Sequence, residues 1–199
     1  MTNTFLVADP HFGHAGVCRF TDYAGNKIRP WTCPDEMDEA LVANWNSVVK
    51  PSDRVYVLGD VVINRRCLPT ISRCNGRKVL VKGNHDIFKA HEYLQYFDDI
   101  RSSHIVSNMV LSHIPIHEDS LSRWPVNIHG HLHTNVVMKN GQPDPRYFCV
   151  SVEQINFTPI SLDQVLAKVK ERLDINNASI LFTTVTTGWQ NLPKPNLPT

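Results

Sequence analysis

Histidine, aspartate and asparagine residues recur in this sequence at points where short apolar runs end. Five such runs are followed at once by side chains that can bind a metal: Asp9-Pro10-His11, Gly59-Asp60, Gly83-Asn84-His85-Asp86, His113 and Gly130-His131-Leu132-His133. Imidazole nitrogens mixed with carboxylate and amide oxygens suit Mn²⁺, Fe, Zn²⁺ or Ni²⁺ better than Mg²⁺ or Ca²⁺, which prefer shells made only of oxygen. The number of candidate ligands indicates a site for two metals.

The apolar runs themselves are the elements that must position these ligands. They are four residues long and rich in Val, Ile and Leu, which is typical of buried strands, and they cover residues 5–8, 55–58, 79–82, 109–112 and 126–129. In open α/β sheets, sites collect beyond the carboxyl ends of the strands. The sequence therefore predicts an α/β fold in which the candidate ligands meet at one edge.

Two of the motifs carry candidate ligands two residues apart. Asp9 and His11 would lie on the same side of an extended segment, because alternate residues share a face, and His131 and His133 repeat the spacing. Asp60 follows both a strand and a glycine, and a carboxylate in that place can bridge two ions. Each motif alone is weak, because a histidine in or near a strand is more often a core residue than a ligand.

The order of the five motifs resembles that of the calcineurin-like metallophosphoesterases, in which D-x-H is followed by G-D, G-N-H-D/E, a lone H and G-H-x-H. Every motif is present here, and the match to the family spans residues 5 to about 153 of the 199. The resemblance implies an α/β fold, a two-sheet β-sandwich flanked by helices in α-β-β-α layers, with a bimetal site at the carboxyl ends of the strands. One position departs from the family. Many members carry Asp or Arg where this chain has Ile63, so Arg65 or Arg66 would have to substitute.

The resemblance also implies a role for each residue. Asp60 would bridge two ions, and the other ligands would be Asp9, His11 and His133 at the first ion and Asn84, His113 and His131 at the second. The catalytic residues would be His85, which would face the scissile phosphate, and Asp86, which would orient His85. Two ions about 3.5–4 Å apart lower the pKa of a shared water, and the bridging hydroxide would attack the phosphorus in line.

The implied activity is metal-dependent hydrolysis of phosphate esters, in this chain a phosphodiesterase acting on small or nucleotide-like phosphodiesters. A chain of 199 residues has no room for a large capping domain, so only the loops 12–34 and 114–125 can shape the pocket. We expect two divalent metal ions as cofactors, with Mn²⁺ as first choice and Fe, Zn or Ni as alternatives. A nuclease on the same fold is the alternative function, and a metal-binding scaffold without catalysis is disfavoured because His85 and all seven ligands are present.

Three further residues are candidate substrate contacts. His14 follows the first motif, His117 follows the lone histidine, and Arg65 lies in a basic run, residues 65–82, that contains no acidic residue. Each has a plainer interpretation as well: a loop residue for His14, a solvent-exposed residue for His117 and a solvated face for the basic run. His129 lies inside a predicted strand and is interpreted as core.

Composition limits the partners of the chain. The net charge is +1, from 20 basic and 19 acidic residues, so no general field attracts nucleic acid or an anionic membrane, and a nucleic-acid partner is not favoured. The five cysteines contain no C-x-x-C pair, which is typical of a reduced protein. The N-terminus resembles neither a signal peptide nor a membrane span. We expect a cytoplasmic protein, in the host cytoplasm if a phage encodes it, with a small phosphoester or nucleotide as substrate and no membrane partner.

Two helices are predicted from their end signals. The first begins at Pro34, has Asp35 in its first turn and ends before Pro51. The second begins at Ser161, whose capping box reaches Gln164. Apolar stripes at helical spacing predict their buried faces: Met37, Leu41, Val42, Trp45 and Val48 in the first helix, and Leu162, Val165, Leu166, Val169 and Leu173 in the second.

The regularity of the chain changes after its middle. Alternating strands, loops and short helices up to residue 98 predict parallel strand pairing. Strands are then expected near 104–106, 109–112, 126–129, 135–139 and 146–152, with a hairpin turn at Asn140-Gly141. We assign residues 1–174 to the phosphoesterase domain and 175–199 to a C-terminal tail, in which residues 180–185 would add one strand.

Overall fold

The computed structural model describes residues 2–173, which form a mixed α/β fold. Its strands are Thr4–Val7 (β1), Arg54–Val57 (β2), Arg77–Val81 (β3), Asp99–Arg101 (β4), His104–Val106 (β5), Met109–Leu111 (β6), Asn127–His129 (β7), Met138–Lys139 (β8), Gln142–Pro143 (β9), Tyr147–Cys149 (β10) and Ile160–Ser161 (β11). Its α-helices are Pro34–Val48 (α1), Ala90–Tyr93 (α2) and Leu162–Arg172 (α3). Within this part of the chain no helix combines the length and the hydropathy needed to cross a bilayer.

Two sheets carry most of the fold. In the first sheet the strand order is β11-β1-β2-β3-β4, and β1 to β4 run parallel, as the alternation up to residue 98 predicts. In the second sheet the order is β10-β7-β6-β5, with β10, β7 and β6 parallel and β5 antiparallel to β6. The five apolar runs that precede the motifs become β1, β2, β3, β6 and β7, which confirms their prediction as strands.

Both faces of the first sheet are buried. Phe5 and Val7 of β1 pack in a core with Trp45 of α1, whereas Leu6 faces the other way, into a core that also contains Ile128 of the second sheet. The second core draws residues from both sheets, so the sheets pack face to face. Burial on two faces explains why the strands read as continuous apolar runs and not as an alternation.

The two predicted helices begin where their end signals place them. Pro34 starts α1, and its stripe is buried except for Val48, the last residue of the helix, which is 38% exposed. Trp45 is a packing residue as expected, and its indole nitrogen donates to the Asn75 carbonyl at 2.9 Å. At α3 the capping box between Ser161 and Gln164 is present.

The position of α3 differs from the α-β-β-α layering that the resemblance implies. Its buried residues Val165 and Val169 belong to the core between the two sheets, beside β11, so α3 closes an edge of that core. Leu162, Leu166 and Leu173 are only partly buried against the same core. The predicted tail, residues 175–199, and its strand at 180–185 lie outside the described residues.

The hairpin turn at Asn140-Gly141 is confirmed, but the strands beside it are shorter than predicted. Both turn residues have positive φ, 51° and 78°, as the tightest hairpins require, and the turn joins β8 to β9. The turn is followed by only two residue pairs, Lys139 with Gln142 and Met138 with Pro143. The predicted strand at 146–152 is therefore not the partner of this hairpin; its central part is β10, which pairs with β7.

Asp38 of α1 attaches the start of the loop 12–34 to the helix, because its carboxylate accepts the Gly13 N–H at 2.9 Å. Burial raises the pKa of Asp38 from 3.8 to about 6, although the Gly13 hydrogen bond acts in the opposite direction. A carboxyl with a higher pKa in the folded state than in the unfolded state favours folding most at low pH. This contribution is lost as the pH rises from about 4 through about 6.

We predict that Asp38→Asn raises the midpoint of thermal unfolding at pH 8, relative to the unchanged protein, and alters it little at pH 4. The amide keeps an oxygen for the Gly13 N–H but has no charge to bury. Calorimetry at the two pH values measures the difference, with Asp98→Asn at an exposed position as a control for the loss of a carboxylate. A Asp38→Asn protein destabilised equally at both pH values would contradict the prediction.

Candidate metal centre

The candidate ligands lie at one edge of the two sheets. Each follows a carboxyl strand end by no more than four residues: Asp9 after β1, Asp60 after β2, Asn84 after β3, His113 after β6, and His131 and His133 after β7. Backbone hydrogen bonds join the loops that carry them, from Asp9 N to Gly59 O at 3.0 Å and from Gly130 N to His113 O at 3.0 Å. The strand ends therefore converge on a common site.

The ligand atoms form two groups. Within each group, one nitrogen or oxygen atom from every residue lies within 4.8 Å of the others, and the groups are Asp9 with His11 and His133, and Asp60 with His113 and His131. Asn84 adds an oxygen to the second group, because its Oδ1 lies 2.9 Å from His113 Nε2. This division is the one that the motif resemblance implies for two ions.

Asp60 lies between the two groups. Its Oδ2 is 3.7 Å from His11 Nε2 on one side and 3.4 Å from His113 Nε2 on the other. Its Oδ1 accepts the His85 N–H at 2.9 Å, which holds the carboxylate in this orientation. Burial acts to raise the pKa of Asp60, but the hydrogen bond and charge of His113 lower it below its usual value. One ionised carboxylate is therefore in reach of both groups.

Five of the candidate ligands have a left-handed backbone. The φ angles are 57° at Asp9, 50° at His11, 56° at Asp60, 70° at His131 and 51° at His133. The prediction that each D-x-H and H-x-H pair shares a face of an extended segment is therefore wrong, although the paired side chains do reach the site. A left-handed residue with a side chain costs about 1–2 kcal/mol. Such strain is typical of functional sites.

Glycine is required at two motif positions because a side chain would not fit there. A Cβ on Gly130 would lie 2.6 Å from both the Ala8 Cβ and the Asp9 Oδ2, and a Cβ on Gly59 would lie 2.5 Å from His113 Nδ1. No side chain fits at these distances without moving a candidate ligand or the strand beside it. The glycines thus let neighbouring strand ends approach closely enough for their side chains to meet.

Asp9 has one buried oxygen without a hydrogen-bond partner among the described residues. Its Oδ2 accepts hydrogen bonds from Ser151 Oγ at 2.6 Å and from His131 N at 2.8 Å, whereas its Oδ1 is buried without a hydrogen-bond partner. Burial raises the pKa of Asp9 to about 6, against the opposing charges of His113 and His133. A buried, unpartnered carboxylate oxygen is costly, and a metal ion at this place would be its partner.

His113 directs its Nε2 at two oxygens. Its Nδ1 lies 2.8 Å from the Leu58 carbonyl, which can only accept, so Nδ1 carries the proton of a neutral ring. Nε2 then faces Asn84 Oδ1 at 2.9 Å and Asp60 Oδ2 at 3.4 Å. Three lone-pair atoms at these distances require a proton or a metal ion between them. Accordingly, although burial opposes it, the Asp60 and Asp9 carboxylates raise the pKa of His113.

Two other histidines are held neutral by burial. Burial, helped by the charge of Arg29, lowers the pKa of His11 to about 3, and a neutral imidazole is the form that binds metal. Burial also lowers the pKa of His129 to about 4. His129 is 1% exposed and its Nδ1 donates to the Gly130 carbonyl, so it is a core residue, as predicted.

His85 and Asp86 follow the third strand but have different environments. The His85 side chain is 48% exposed, and its Nε2 lies 4.0 Å from Asp60 Oδ2. Asp86 is buried, and both its oxygens accept backbone N–H groups, from Asp60 and Gly83 at Oδ2 and from Val61 at Oδ1. The expectation that Asp86 orients the His85 ring is corrected by these contacts: the carboxylate instead fixes the loop backbone that carries Asp60.

The candidate substrate contacts differ in their relation to the site. The His14 ring lies 5.7 Å from the His11 ring, next to the candidate ligands. Arg65, suggested as a substitute at the Ile63 position, pairs instead with Glu92 at 3.0 Å. His117 is 77% exposed, and its Nδ1 accepts the N–H of Asp119 at the start of a short 3₁₀ helix. Of the three, His14 is the one in contact with the histidines of the centre.

Sequence reasoning missed three buried residues beside the centre. Ser151 donates to Asp9, the Glu153 carboxylate lies 3.0 Å from His133 Nδ1, and Arg29 pairs with Glu153 at 2.8 Å. No motif spacing marks them. The one available signal was that Ser151 and Glu153 follow the run that forms β10, a strand whose carboxyl end reaches the same edge.

Three of the proteins that the chain resembles have names that state no activity. The chain is 30% identical over 181 residues to the Uncharacterized protein MJ1445 of Methanocaldococcus jannaschii, covering 86% of this chain and 93% of that protein. It is 27% identical over 174 residues to the Gene 66 protein of Mycobacterium phage L5, covering 69% and 81%. A crystal structure of a protein of unknown function from Aquifex aeolicus is 26% identical, with a TM-score of 0.55, and covers 83% of this chain and 98% of that one. No protein-family model matches the chain.

The hydrogen bond from Ser151 to Asp9 generates a prediction about the ligand-free protein. Ser151→Ala should raise the pKa of Asp9 above about 6, because the hydroxyl stabilises the ionised carboxylate. Carbon-detected NMR titration of the Asp9 carboxyl, in the presence of a chelator, measures the shift. The control is Ser122→Ala, an exposed serine whose hydroxyl donates to the Asp119 carbonyl. An Asp9 pKa unchanged by Ser151→Ala would show that the contact is not formed in solution.

Proposed function

Because the chain belongs to the family of the Uncharacterized protein MJ1445 of Methanocaldococcus jannaschii, a name that states no activity, we propose its function from the site: metal-dependent hydrolysis of phosphate esters. The proposed substrates are small or nucleotide-like phosphodiesters. The observation that carries the proposal is the position of Asp60, with one carboxylate oxygen within 3.7 Å of a histidine from each of two ligand groups. A shared carboxylate of this kind is what a two-metal hydrolytic centre requires.

The fold supports the same proposal at a coarser level. Two facing sheets with parallel strands at their centres bring all five motifs to one edge, in the order D-x-H, G-D, G-N-H-D, H, G-H-x-H. We therefore propose that the fold is a calcineurin-like metallophosphoesterase sandwich, with α3 beside β11 and α1 against the outer face of the first sheet.

The residues present fit two divalent ions. The first would be held by Asp9, His11, His133 and Asp60, and the second by Asp60, Asn84, His113 and His131. The unpartnered oxygen of Asp9 and the His113 nitrogen that faces two oxygens support this assignment. Mn²⁺ is our first choice for this mixed donor set, with Fe, Zn or Ni as alternatives. When bound, the ions would acidify a shared water and neutralise phosphoryl oxygens.

The protein side chains then have separate tasks. Asp60 and Asp9 supply negative charge at the site. The Asp86 carboxylate accepts the backbone N–H groups of Asp60 and Gly83, which fixes the two loops relative to each other. His85 is the exposed imidazole next to Asp60, which places it where it can give a proton to the leaving oxygen of an ester. Its backbone N–H on Asp60 Oδ1 keeps it next to the bridging carboxylate.

The contacts of the basic run favour a small substrate over a nucleic acid. Phosphate contacts by free cations dominate nucleic-acid affinity. Arg73 pairs with Glu39 at 2.6 Å, Arg65 pairs with Glu92, and Lys78 donates to backbone carbonyls at 2.7 and 2.9 Å. These cations are already occupied, so a nuclease remains the second candidate.

We expect the purified protein with Mn²⁺ to hydrolyse bis-p-nitrophenyl phosphate, and to bind two equivalents of the ion. The assay should include p-nitrophenyl phosphate, 2′,3′- and 3′,5′-cyclic nucleotides, and single-stranded RNA and DNA. Asp60→Asn is the matched variant. It should weaken metal binding by more than the roughly 10–100-fold typical of residues that only support a ligand, and abolish turnover. Two tightly bound ions without hydrolysis of any substrate would contradict the proposed function.

We expect His85→Ala to keep both ions and to lose rate, by roughly 10²–10⁴-fold for cyclic nucleotides, whose leaving alkoxide needs a proton. The loss should be smaller for bis-p-nitrophenyl phosphate, because p-nitrophenolate leaves without protonation. Steady-state kinetics on both substrates and calorimetric Mn²⁺ titration measure the two effects. His91→Ala, an exposed histidine of α2, is the control. Equal losses on both substrates would argue for phosphate binding by His85 and against acid catalysis.

A further inference from the structure

A buried ion pair lies behind the first ligand group. The side chains of Arg29 and Glu153 are 0% and 1% exposed, and Arg29 Nε donates to Glu153 Oε1 at 2.8 Å. Removing two charges from water costs several kcal/mol per ion, and their attraction seldom returns more than that. A buried pair that contributes so little net stability needs another explanation, and its further contacts supply one.

Glu153 contacts His133. Its Oε1, which accepts from Arg29, also lies 3.0 Å from His133 Nδ1. An ionised carboxylate can only accept, so His133 Nδ1 carries the proton and Nε2 keeps its lone pair for an ion. Carboxylates that accept from a metal-binding histidine fix its ring orientation and strengthen it as a ligand.

Arg29 contacts the first motif with its other nitrogens. NH1 donates to the Pro10 carbonyl at 2.8 Å and NH2 to the Asp9 carbonyl at 2.6 Å. These carbonyls belong to the segment in which Asp9 is left-handed, with φ at 57°. One guanidinium in the loop 12–34 therefore holds the backbone beneath Asp9 and the carboxylate behind His133.

The second ligand group has a different support. The Nδ1 of His113 donates to the Leu58 carbonyl, a neutral acceptor on the end of β2. The Asp60 carboxylate accepts the backbone N–H of His85, and no contact of Arg29 or Glu153 in residues 2–173 reaches His113 or His131. Among residues 2–173, the buried ion pair therefore contacts a ligand of the first position and none of the histidines of the second.

We propose that Arg29 and Glu153 are positioning residues that set the metal affinity of the first position, formed by Asp9, His11 and His133, without setting that of the second. The loop 12–34 is thereby coupled to the loading of one ion of the pair. This inference rests on the proposed metal centre. It concerns which of two binding events depends on the buried pair, and it does not require that the centre be catalytic.

The test is calorimetric titration of the metal-free full chain with Mn²⁺. In Glu153→Gln, which keeps the side-chain shape and removes the charge, one binding event should weaken by roughly 10–100-fold while the other stays within about twofold. Arg29→Lys is the second variant, since one ammonium cannot span three acceptors in the fixed fork of a guanidinium. It should weaken the same event. Glu118→Gln breaks an exposed pair with Arg146 and should leave both events unchanged.

Thermal unfolding of each metal-free variant separates positioning from a structural role. Equal weakening of both events, no weakening of either, or loss of the folded state in both variants would overturn the inference. If the protein without substitutions binds two ions but hydrolyses no ester, the proposed function is wrong and the inference is unaffected. If the protein without substitutions binds no Mn²⁺, both the proposed function and the inference are wrong.

Discussion

Two carboxylates buried at the meeting point of the strands, Asp9 and Asp60, constrain much of the surrounding structure. Taking a carboxylate out of water is costly unless donors or cations surround it. Asp60 accepts a backbone N–H and has ring nitrogens of three histidines within 4.0 Å, and Asp9 accepts from Ser151 and a backbone N–H but keeps one oxygen unpartnered. The left-handed ligand positions and the close glycines follow from the need to bring several strand ends around these two charges.

The sequence predicts the central strands well, because they depend on local signals, whereas the grouping of ligands is implied only by the family resemblance. Apolar runs identify β1, β2, β3, β6 and β7, and parallel strands necessarily carry their following residues to one edge. The backbone angle at Asp9 or His133 could not be read in the same way, since periodicity reports which side chains are buried and not how the chain turns after a strand. A left-handed turn and an extended segment can both bring the same two residues to the site, so the spacing of the residues does not distinguish between the two backbone conformations.

The supporting residues escaped prediction for another reason. Arg29 and Glu153 are 124 positions apart in the chain, and neither lies at a spacing that signals their contact. The resemblance implies that Asp86 orients His85, yet the Asp86 oxygens accept three backbone N–H groups. The position of α3 beside β11 likewise depends on which edge of the core between the two sheets is not covered by other elements. Contacts of this kind are set by tertiary packing alone.

The left-handed backbone at five candidate ligands would make folding and the supply of the proposed ions parts of one equilibrium. An ion that binds only the folded chain stabilises it by mass action, by about 2.7 kcal/mol at a free concentration one hundred times its dissociation constant. That is comparable to the strain of two left-handed residues. The amount of folded protein in a cell would then depend on the concentration of the free ion. Scarcity of the metal would lower the amount of folded protein before it slowed the reaction.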